Sequence, residues 1–386
     1  MAIEKIHIGQ FLELAKHHPV LDVRSPGEYK HAHIPGAYSL PLFSDEERKI
    51  VGTAYKQESR EVAIKLGLDF FGVKMKSIVE EAESLVFSRE SGEDAGLKAV
   101  VASSNTKDSR VVLVHCWRGG MRSAGVAWLL DLYGFKVYTL VGGYKKFRHY
   151  VLDTFKLPFH FKIIGGYTGS GKTGLLNVLK EKGESVIDLE KIAGHKGSAF
   201  GNIGLPEQVG QEMFENMLAM EMNEVRNQQP EVRTTPSEPS PRNSGIWLED
   251  ESQRIGLVNI PNEFWKTMRL STVYFLDIPF EERLKHIVQE YGDLDTEKMI
   301  GAIGRISEKL GHLNAKTAIL LLKEGKIAES FTILLKYYDK FYFKALHNRE
   351  AVNSLLVRIQ CKSVIPENAN QLILQSQPPQ LQPERS

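Results

Sequence analysis

The chain has little cysteine. Its 386 residues contain only Cys116 and Cys361, so no disulfide framework carries the fold. No Cys/His set has the spacing of a structural zinc site either, and no metal-ligating cluster is assigned from the sequence. A surplus of either charge is also missing. The 49 Lys and Arg against 48 Asp and Glu leave a net charge of +1. That balance neither demands nor excludes nucleic acid, because a basic face can be offset by acidic surface elsewhere. No apolar run is long enough to span a bilayer. The opening Met-Ala-Ile-Glu-Lys-Ile-His lacks the marks of a secretion signal. A cytoplasmic protein with no membrane contact is the expectation. Internal repeats are absent. What is present is an ordinary globular composition, 42% hydrophobic and 25% charged, over a length sufficient for two buried cores.

The pattern along the chain is α/β. In residues 1–150, Val20–Val23, Val111–His115 and Val137–Val141 read as short apolar strands. Ser123–Tyr133 has helical spacing and stops at Gly134. Residues 45–85 look helical, and Ser88–Ser109 reads as a polar surface loop. A second α/β domain is expected over 158–360. Its strands are Phe161–Ile164, Ser185–Asp188, Ser244–Leu248 and Ser271–Leu276, with a helix over Thr173–Lys182 after the first. Strands alternating with helices imply parallel sheets covered on both faces. Residues 227–244 are rich in Pro and Ser and read as a mobile insertion. From Pro279 to about Ser354 the pattern is helical. Residues 366–386 are Gln/Pro-rich and are expected to be disordered.

Two loops carry chemistry. The first is Val-Val-Leu-Val-His-Cys-Trp-Arg-Gly-Gly-Met-Arg-Ser, residues 111–123. An apolar strand feeds a loop that opens a helix. A nucleophilic cysteine must be available as its thiolate. Backbone N–H groups at a helix N-terminus supply the favourable field, and Arg118 and Arg122 add positive charge. Gly119 and Gly120 let the backbone curl. Cys116, Arg118 and Arg122 are therefore the candidate catalytic residues. Taken alone, a strand-end cysteine is more often structural, but the order strand, His-Cys, Gly-Gly, Arg-Ser, helix argues against that here.

The second loop is Gly166-Tyr167-Thr168-Gly169-Ser170-Gly171-Lys172-Thr173. It matches the Walker A pattern in full, with a strand before it and a helix after it. Gly166, Gly169, Ser170 and Gly171 present amides to phosphate. Lys172 neutralises phosphate charge, and Thr173 can ligate Mg2+. Three carboxylates at apolar strand ends, Asp188, Glu249 and Asp277, are equally eligible as its acidic partner. No adenine-recognition motif accompanies the loop, so a non-nucleotide diphosphate fits as well as a nucleotide. Two further polar stretches supply possible substrate-binding residues: His195, Lys196 and Ser198, and Glu249, Glu251 and Arg254. An ordinary surface loop and a solvated helix start are their bland alternatives.

The segment His115–Ser123 fits the protein tyrosine phosphatase signature and also resembles the active loop of rhodanese-like sulfurtransferases. Leu21-Asp22-Val23-Arg24-Ser25-Pro26-Gly27-Glu28-Tyr29 with His33-Ile34-Pro35-Gly36-Ala37 resembles the rhodanese-domain signature, and Thr139–Gly143 resembles the segment that closes such domains. Five residues separate Cys116 from Arg122, one more than is usual in sulfurtransferases and the spacing of phosphatases. Asp22 and Arg24 read as a pair that braces the loop, and His33 as a packing residue. Rhodanese followed by a P-loop domain, with Asp188-Leu189-Glu190, His195–Gly201 and Glu249–Ser252 in order, resembles the tRNA 2-selenouridine synthases over roughly residues 5–360.

That resemblance implies a fold, a rhodanese-like parallel-sheet domain followed by a P-loop α/β domain with a helical C-terminal part. It also implies an activity: conversion of wobble 2-thiouridine in tRNA to 2-selenouridine through an S-geranyl intermediate, with geranyl diphosphate and selenophosphate as substrates and no covalently bound cofactor. tRNA and a supply of selenophosphate would be the partners. Candidate RNA contacts are the basic cluster Lys145–His149 and the helix through Lys336–Tyr342, the latter better read as an amphipathic packing face. The competing readings are a rhodanese-regulated small-molecule kinase or NTPase, and an RNA-binding protein with an inert rhodanese domain.

Overall fold

In a computed structural model of the chain, residues 3–91, 110–228 and 245–377 are described. The chain divides into two compact units at Asp153/Thr154. The expected Ser88–Ser109 loop and the 227–244 insertion fall largely outside the described residues. What is described of them is helix, since helices reach Ser91 and Gln228.

The first unit contains β1 (Ile3–Ile6), α1 (Ile8–Ala15), β2 (Val20–Asp22), α2 (Pro26–His31), β3 (Tyr38–Ser39), α3 (Asp45–Gln57), α4 (Arg60–Ser91), β4 (Val111–His115), α5 (Met121–Tyr133), β5 (Lys136–Leu140) and α6 (Gly143–Thr154). Among the described residues the strands form one parallel sheet, ordered β1-β5-β4-β2-β3. β4 is central and all five of its residues are buried, as expected for a parallel strand covered on both faces. α3 begins at a capping box. The Ser44 Oγ accepts from Glu47 N at 3.2 Å, and Ser44 N donates to the Glu47 carboxylate at 2.8 Å. α5 ends where Gly134 takes the left-handed conformation, with φ of 108°.

The second unit contains β6 (Phe161–Gly166), α7 (Lys172–Glu181), α8 (Leu189–Ala193), α9 (Gln211–Gln228), β7 (Ile246–Glu249), β8 (Arg254–Ile255), β9 (Val258–Asn259), α10 (Asn262–Arg269), β10 (Thr272–Asp277), α11 (Phe280–Tyr291), α12 (Thr296–Arg305), α13 (Ser307–Leu310), α14 (His312–Lys323), α15 (Ile327–His347), α16 (Val352–Leu355), β11 (Leu356–Gln360) and α17 (Asn368–Gln375). Its main sheet is parallel, ordered β11-β10-β6-β7. One core surrounds that sheet, with Trp247, Leu176 and Leu276 at its centre. Another lies within the helical part, around Phe200, Phe331 and Leu335.

Two expectations are corrected. Ser185–Asp188 is not a strand: Val186 makes only an isolated bridge to Trp247. The Asp188 side chain instead accepts from Lys191 N at 2.8 Å and caps α8, so the chain turns before a ladder can extend. The 366–386 tail is not wholly unstructured either. Asn368–Gln375 is helical, with Ala369 and Leu372 fully buried in the sheet core beside Leu175 and Leu176. Replacing Leu372 with Ala should therefore cost about 2–5 kcal/mol. Leu374→Ala, at an exposed position of the same helix, should stay within about 0.5 kcal/mol of wild type. Urea unfolding of the two variants checks this.

Candidate functional site

Cys116 follows directly on β4 and sits in a loop that closes on the N-terminus of α5, whose N-cap is Gly120. The loop is held from below. Tyr144 N donates to the Cys116 carbonyl at 2.8 Å, and Lys145 N donates to the Trp117 carbonyl at 2.9 Å. A Cβ at Gly143, where φ is 56°, would collide with the Cys116 carbonyl, and one at Gly119 would lie 2.6 Å from the Leu140 carbonyl. The closing Gly142-Gly143 pair is thus part of the loop's seat. The Cys116 sulfur is 3.2 Å from the Ser123 hydroxyl, and the residue is only 3% exposed.

Beneath and beside this loop lie two ion-pair systems. Arg24 and Asp22 are both buried, with Arg24 Nη2 2.6 Å from Asp22 Oδ2. Arg24 also donates to the Ala32 carbonyl at 2.7 Å and lies 3.8 Å from the centre of the Tyr144 ring. The predicted brace is therefore present. At the mouth, Glu28 Oε2 accepts from Arg122 Nη1 at 2.7 Å and lies 3.0 Å from Arg48 Nε. Burial alone would raise the Glu28 carboxyl, but Arg122, the Ser25 amide and Arg48 outweigh it and hold it down at about 2. Arg118 is exposed. His33 stacks on Tyr29 with ring centres 4.0 Å apart, which fits a packing role.

In the second unit, the phosphate loop joins β6 to α7. Gly169 and Gly171 take φ of 83° and 72°, and Gly171 caps α7. Lys172 folds back so that Nζ donates to the Gly166 carbonyl at 3.3 Å. The Thr173 hydroxyl lies 3.1 Å from Glu190 Oε2 and 3.2 Å from Glu249 Oε2. Of the three eligible strand-end acids, Glu249 is the one that faces Thr173, although β7 and β10 both flank β6. Asp188 is a helix cap, and Asp277 accepts from Gln360 at 2.7 Å.

The sequence reading assigned no metal-ligating set, yet Glu190, Glu249 and Glu251 bring carboxylate oxygens within 4.8 Å of one another. Burial and then the neighbouring carboxylates push Glu249 well above the usual range. Glu251 is pushed to about 8, by burial first and Glu190 next. Such a cluster beside a P-loop threonine fits a hard divalent cation such as Mg2+. Glu190 was missed as a site residue. Its signal was the Asp-Leu-Glu triplet, whose last residue the α8 cap turns toward Thr173.

The loop opens on a cavity of about 1,060 Å³, lined by Gly169–Gly174, Glu190, Lys196, Ser198, Glu249 and Glu251 and also by Phe200, Ile287, Tyr291, Phe331 and Tyr338. Two proposed residues do not line it. His195 turns inward, its Nδ1 3.1 Å from Gly197 N and its ring against Gly201 and Gly256. Arg254 donates to the Gly256 carbonyl at 2.9 Å, on an exposed strand. Both are spent on shaping their own turns. Lys196 is in place and pairs with Glu290 at 2.6 Å.

The sequence reading also missed the helices that clamp the loop. Arg283 donates to the Thr168 carbonyl at 3.0 Å and grips both oxygens of Asp339. Tyr342 accepts from Gly166 N at 3.1 Å and donates to Asp250 at 2.7 Å. The Lys336–Tyr342 helix is therefore a packing face, directed at the phosphate loop. Among the described residues, no helix is long and apolar enough to cross a membrane.

Comparison with known proteins agrees with this geometry. Residues 8–150 match the rhodanese-like domain, and residues 159–367 match the tRNA 2-selenouridine synthase AAA domain. The tRNA 2-selenouridine synthase of Hydrogenovibrio crunogenus is 34% identical over 77% of this chain and 77% of its own length. That of Nitrosomonas europaea is 34% identical over 71% and 63%, and that of Shewanella pealeana 32% over 81% and 75%.

The crowded carboxylates set a pH dependence. An acid whose pKa is raised from 4.5 to about 8 on folding supports the fold at low pH and loses that support as pH climbs through 8. Glu251→Gln cannot ionise. Its melting temperature should exceed wild type by a few degrees at pH 9 and by less at pH 5, as read by thermal melts across that range.

Proposed function

The chain belongs to the tRNA 2-selenouridine synthase family, and from that premise we propose that it replaces the sulfur of a wobble 2-thiouridine in tRNA with selenium, by way of an S-geranyl-2-thiouridine. The observation that carries the reading is the form of the larger cavity. A phosphate cradle and a set of apolar and aromatic side chains line the same cavity, the two kinds of surface that geranyl diphosphate needs. The cytoplasm, where tRNA is modified, is the corresponding compartment.

In the first reaction the sulfur of 2-thiouridine attacks C1 of the geranyl group, the C1–O bond breaks, diphosphate leaves and N3 gives up its proton. Lys172 and the amides at the start of α7 hold the diphosphate and meet the charge that grows on it. Thr173, Glu190, Glu249 and Glu251 would hold a divalent cation that neutralises the same charge. The aromatic wall excludes water, which would otherwise compete for the geranyl carbon.

In the second reaction selenium takes the place of the geranylthio group at C2. The Cys116 thiolate adds at C2 and expels geranylthiolate. Selenium of selenophosphate then displaces Cys116, and water takes the phosphoryl group, so phosphate and geranylthiol are the by-products. Selenium carried as a cysteine perselenide would have to be two electrons more oxidised than it is in selenophosphate. Nucleophilic addition needs no oxidant. Arg118, exposed at the loop, and Arg122 supply positive charge for the anionic selenium donor.

Mass spectrometry of nucleosides from tRNA incubated with the protein, geranyl diphosphate and selenophosphate tests the scheme. Cys116→Ala should accumulate S-geranyl-2-thiouridine and form no 2-selenouridine. Lys172→Ala should slow geranylation by roughly a hundredfold or more. Selenation by Cys116→Ala at the wild-type rate would remove the covalent step.

A further inference from the structure

A second pocket lies at Trp117, the residue after Cys116, and offers more than an anion cradle. It measures about 460 Å³, and its lining includes Glu28, Arg48, Trp117 and Arg122. Trp117 directly follows the nucleophile and is 37% exposed. Its indole is buttressed from behind. The Tyr144 ring centre lies 5.7 Å away, and the Arg24 guanidinium 6.0 Å from the indole. Both of those residues are fully packed in the core, so the indole is a flat apolar face with a rigid back.

Arginines line the pocket with this face, beside the carboxylates of Glu28 and Asp45. Glu28 draws Arg48 from α3 and Arg122 from α5 to the same mouth. Arg48 spends Nε on Glu28, which leaves its Nη1 and Nη2 to donate, and its side chain is 50% exposed. Lys145, whose backbone amide is bonded to the Trp117 carbonyl, and Lys146 also expose their side chains at the start of α6. An aromatic platform flanked by arginines, with exposed lysines on the adjoining helix, suits recognition of single-stranded nucleic acid. The ring stacks on a base while the cations hold the backbone. A paired base could not offer its face to a pocket of this kind.

We propose that this pocket takes an unstacked nucleobase of single-stranded RNA, laid on Trp117 with Arg48 on an adjoining phosphate. The base is thereby held at the residue that follows Cys116 in the chain. The inference rests on the RNA-modifying reading above and adds the residues that receive the base. Trp117 is a binding residue of the pocket, and Glu28 is a positioning residue that acts through the two arginines.

The test uses the full chain and a fluorescein-labelled anticodon stem–loop RNA with 2-thiouridine at the wobble position. Affinity is read by anisotropy over a range of KCl concentrations, and conversion by nucleoside mass spectrometry. Trp117→Leu should weaken binding on the order of tenfold at every salt concentration, and Trp117→Phe should recover most of that loss. Arg48→Gln should instead reduce the slope of log affinity against log salt by about 0.7. Alkylation of Cys116 by iodoacetamide should be unchanged in Trp117→Phe and Arg48→Gln. In wild-type protein, the same RNA with 5-iodouridine at the wobble position should crosslink to Trp117 under ultraviolet light, which keeps the proposal testable if Trp117→Leu does not fold. A crosslink mapped only elsewhere, or Trp117→Leu binding as tightly as wild type, overturns the pocket. If wild type converts the RNA and Trp117→Leu converts it equally well, the pocket falls and the functional reading stands. If wild type converts nothing but Trp117→Leu still loses tenfold in affinity, the functional reading falls and the pocket stands.

Discussion

Both sites depend on one constraint, the way a buried parallel strand hands the chain to a helix. Inside β4 and β6 the backbone groups are spent on neighbouring strands on both sides. At the end of each strand the chain turns into a helix whose first amides have no intrahelical partner. The dipole of that helix adds a partial positive charge at the same point. Cys116 and the Lys172 loop occupy these two equivalent positions, each in its own sheet. Neither loop could be moved to a strand edge and keep its field, so the remaining features of the two units read as supports for those two crossings.

The supports differ in electrostatic character. In the first unit carboxylate and guanidinium are matched: Asp22 with Arg24, Glu28 with Arg122 and Arg48. Such pairs cost desolvation and return little net stability, but they fix the directions in which the arginines point. In the second unit three carboxylates crowd around Thr173 and repel one another. That arrangement disfavours ionisation and favours whatever brings positive charge. One site is therefore organised by internal pairing, and the other is poised to be completed by a cation.

The contiguous motifs were legible in the sequence because their chemistry is local. A strand, a run of glycines and a helix start lie within a dozen residues, and steric rules decide most of their conformation. The brace of Asp22 and Arg24 was legible for the same reason. Features set by contacts between elements were not. Asp188, Glu249 and Asp277 look alike as strand-end acids, and β7 and β10 both flank β6, so only the folded contacts, Glu249 on Thr173 and Asp277 on Gln360, tell them apart. The strand expected at Ser185–Asp188 failed because Asp188 is a better helix cap than a ladder residue. The tail was misjudged because glutamine and proline dominate its composition, while two apolar residues, Ala369 and Leu372, are enough to dock a short helix. His195 and Arg254 carry the right chemistry for a site, but each bonds within its own turn and neither lines the cavity.

The least legible element, α15, is also the one that ties the second site together. Along one helix, Phe331, Leu334 and Tyr338 form part of the apolar wall. One turn further on, Asp339 and Tyr342 hold the phosphate loop through Arg283 and the Gly166 amide. The apolar lining and the phosphate loop thus share a rigid support. Helical spacing of three and four residues makes that possible, since positions 331, 334, 335, 338 and 342 fall on one face. A ligand tail pressed against this face bears on the helix that fixes the loop, so occupancy of the wall and geometry of the cradle are mechanically linked. A diphosphate without a tail would meet the same amides but would leave that support unloaded. On the proposed reading, selectivity for a tailed diphosphate would come from the helix behind the loop, and the phosphate-binding residues themselves would not need to discriminate.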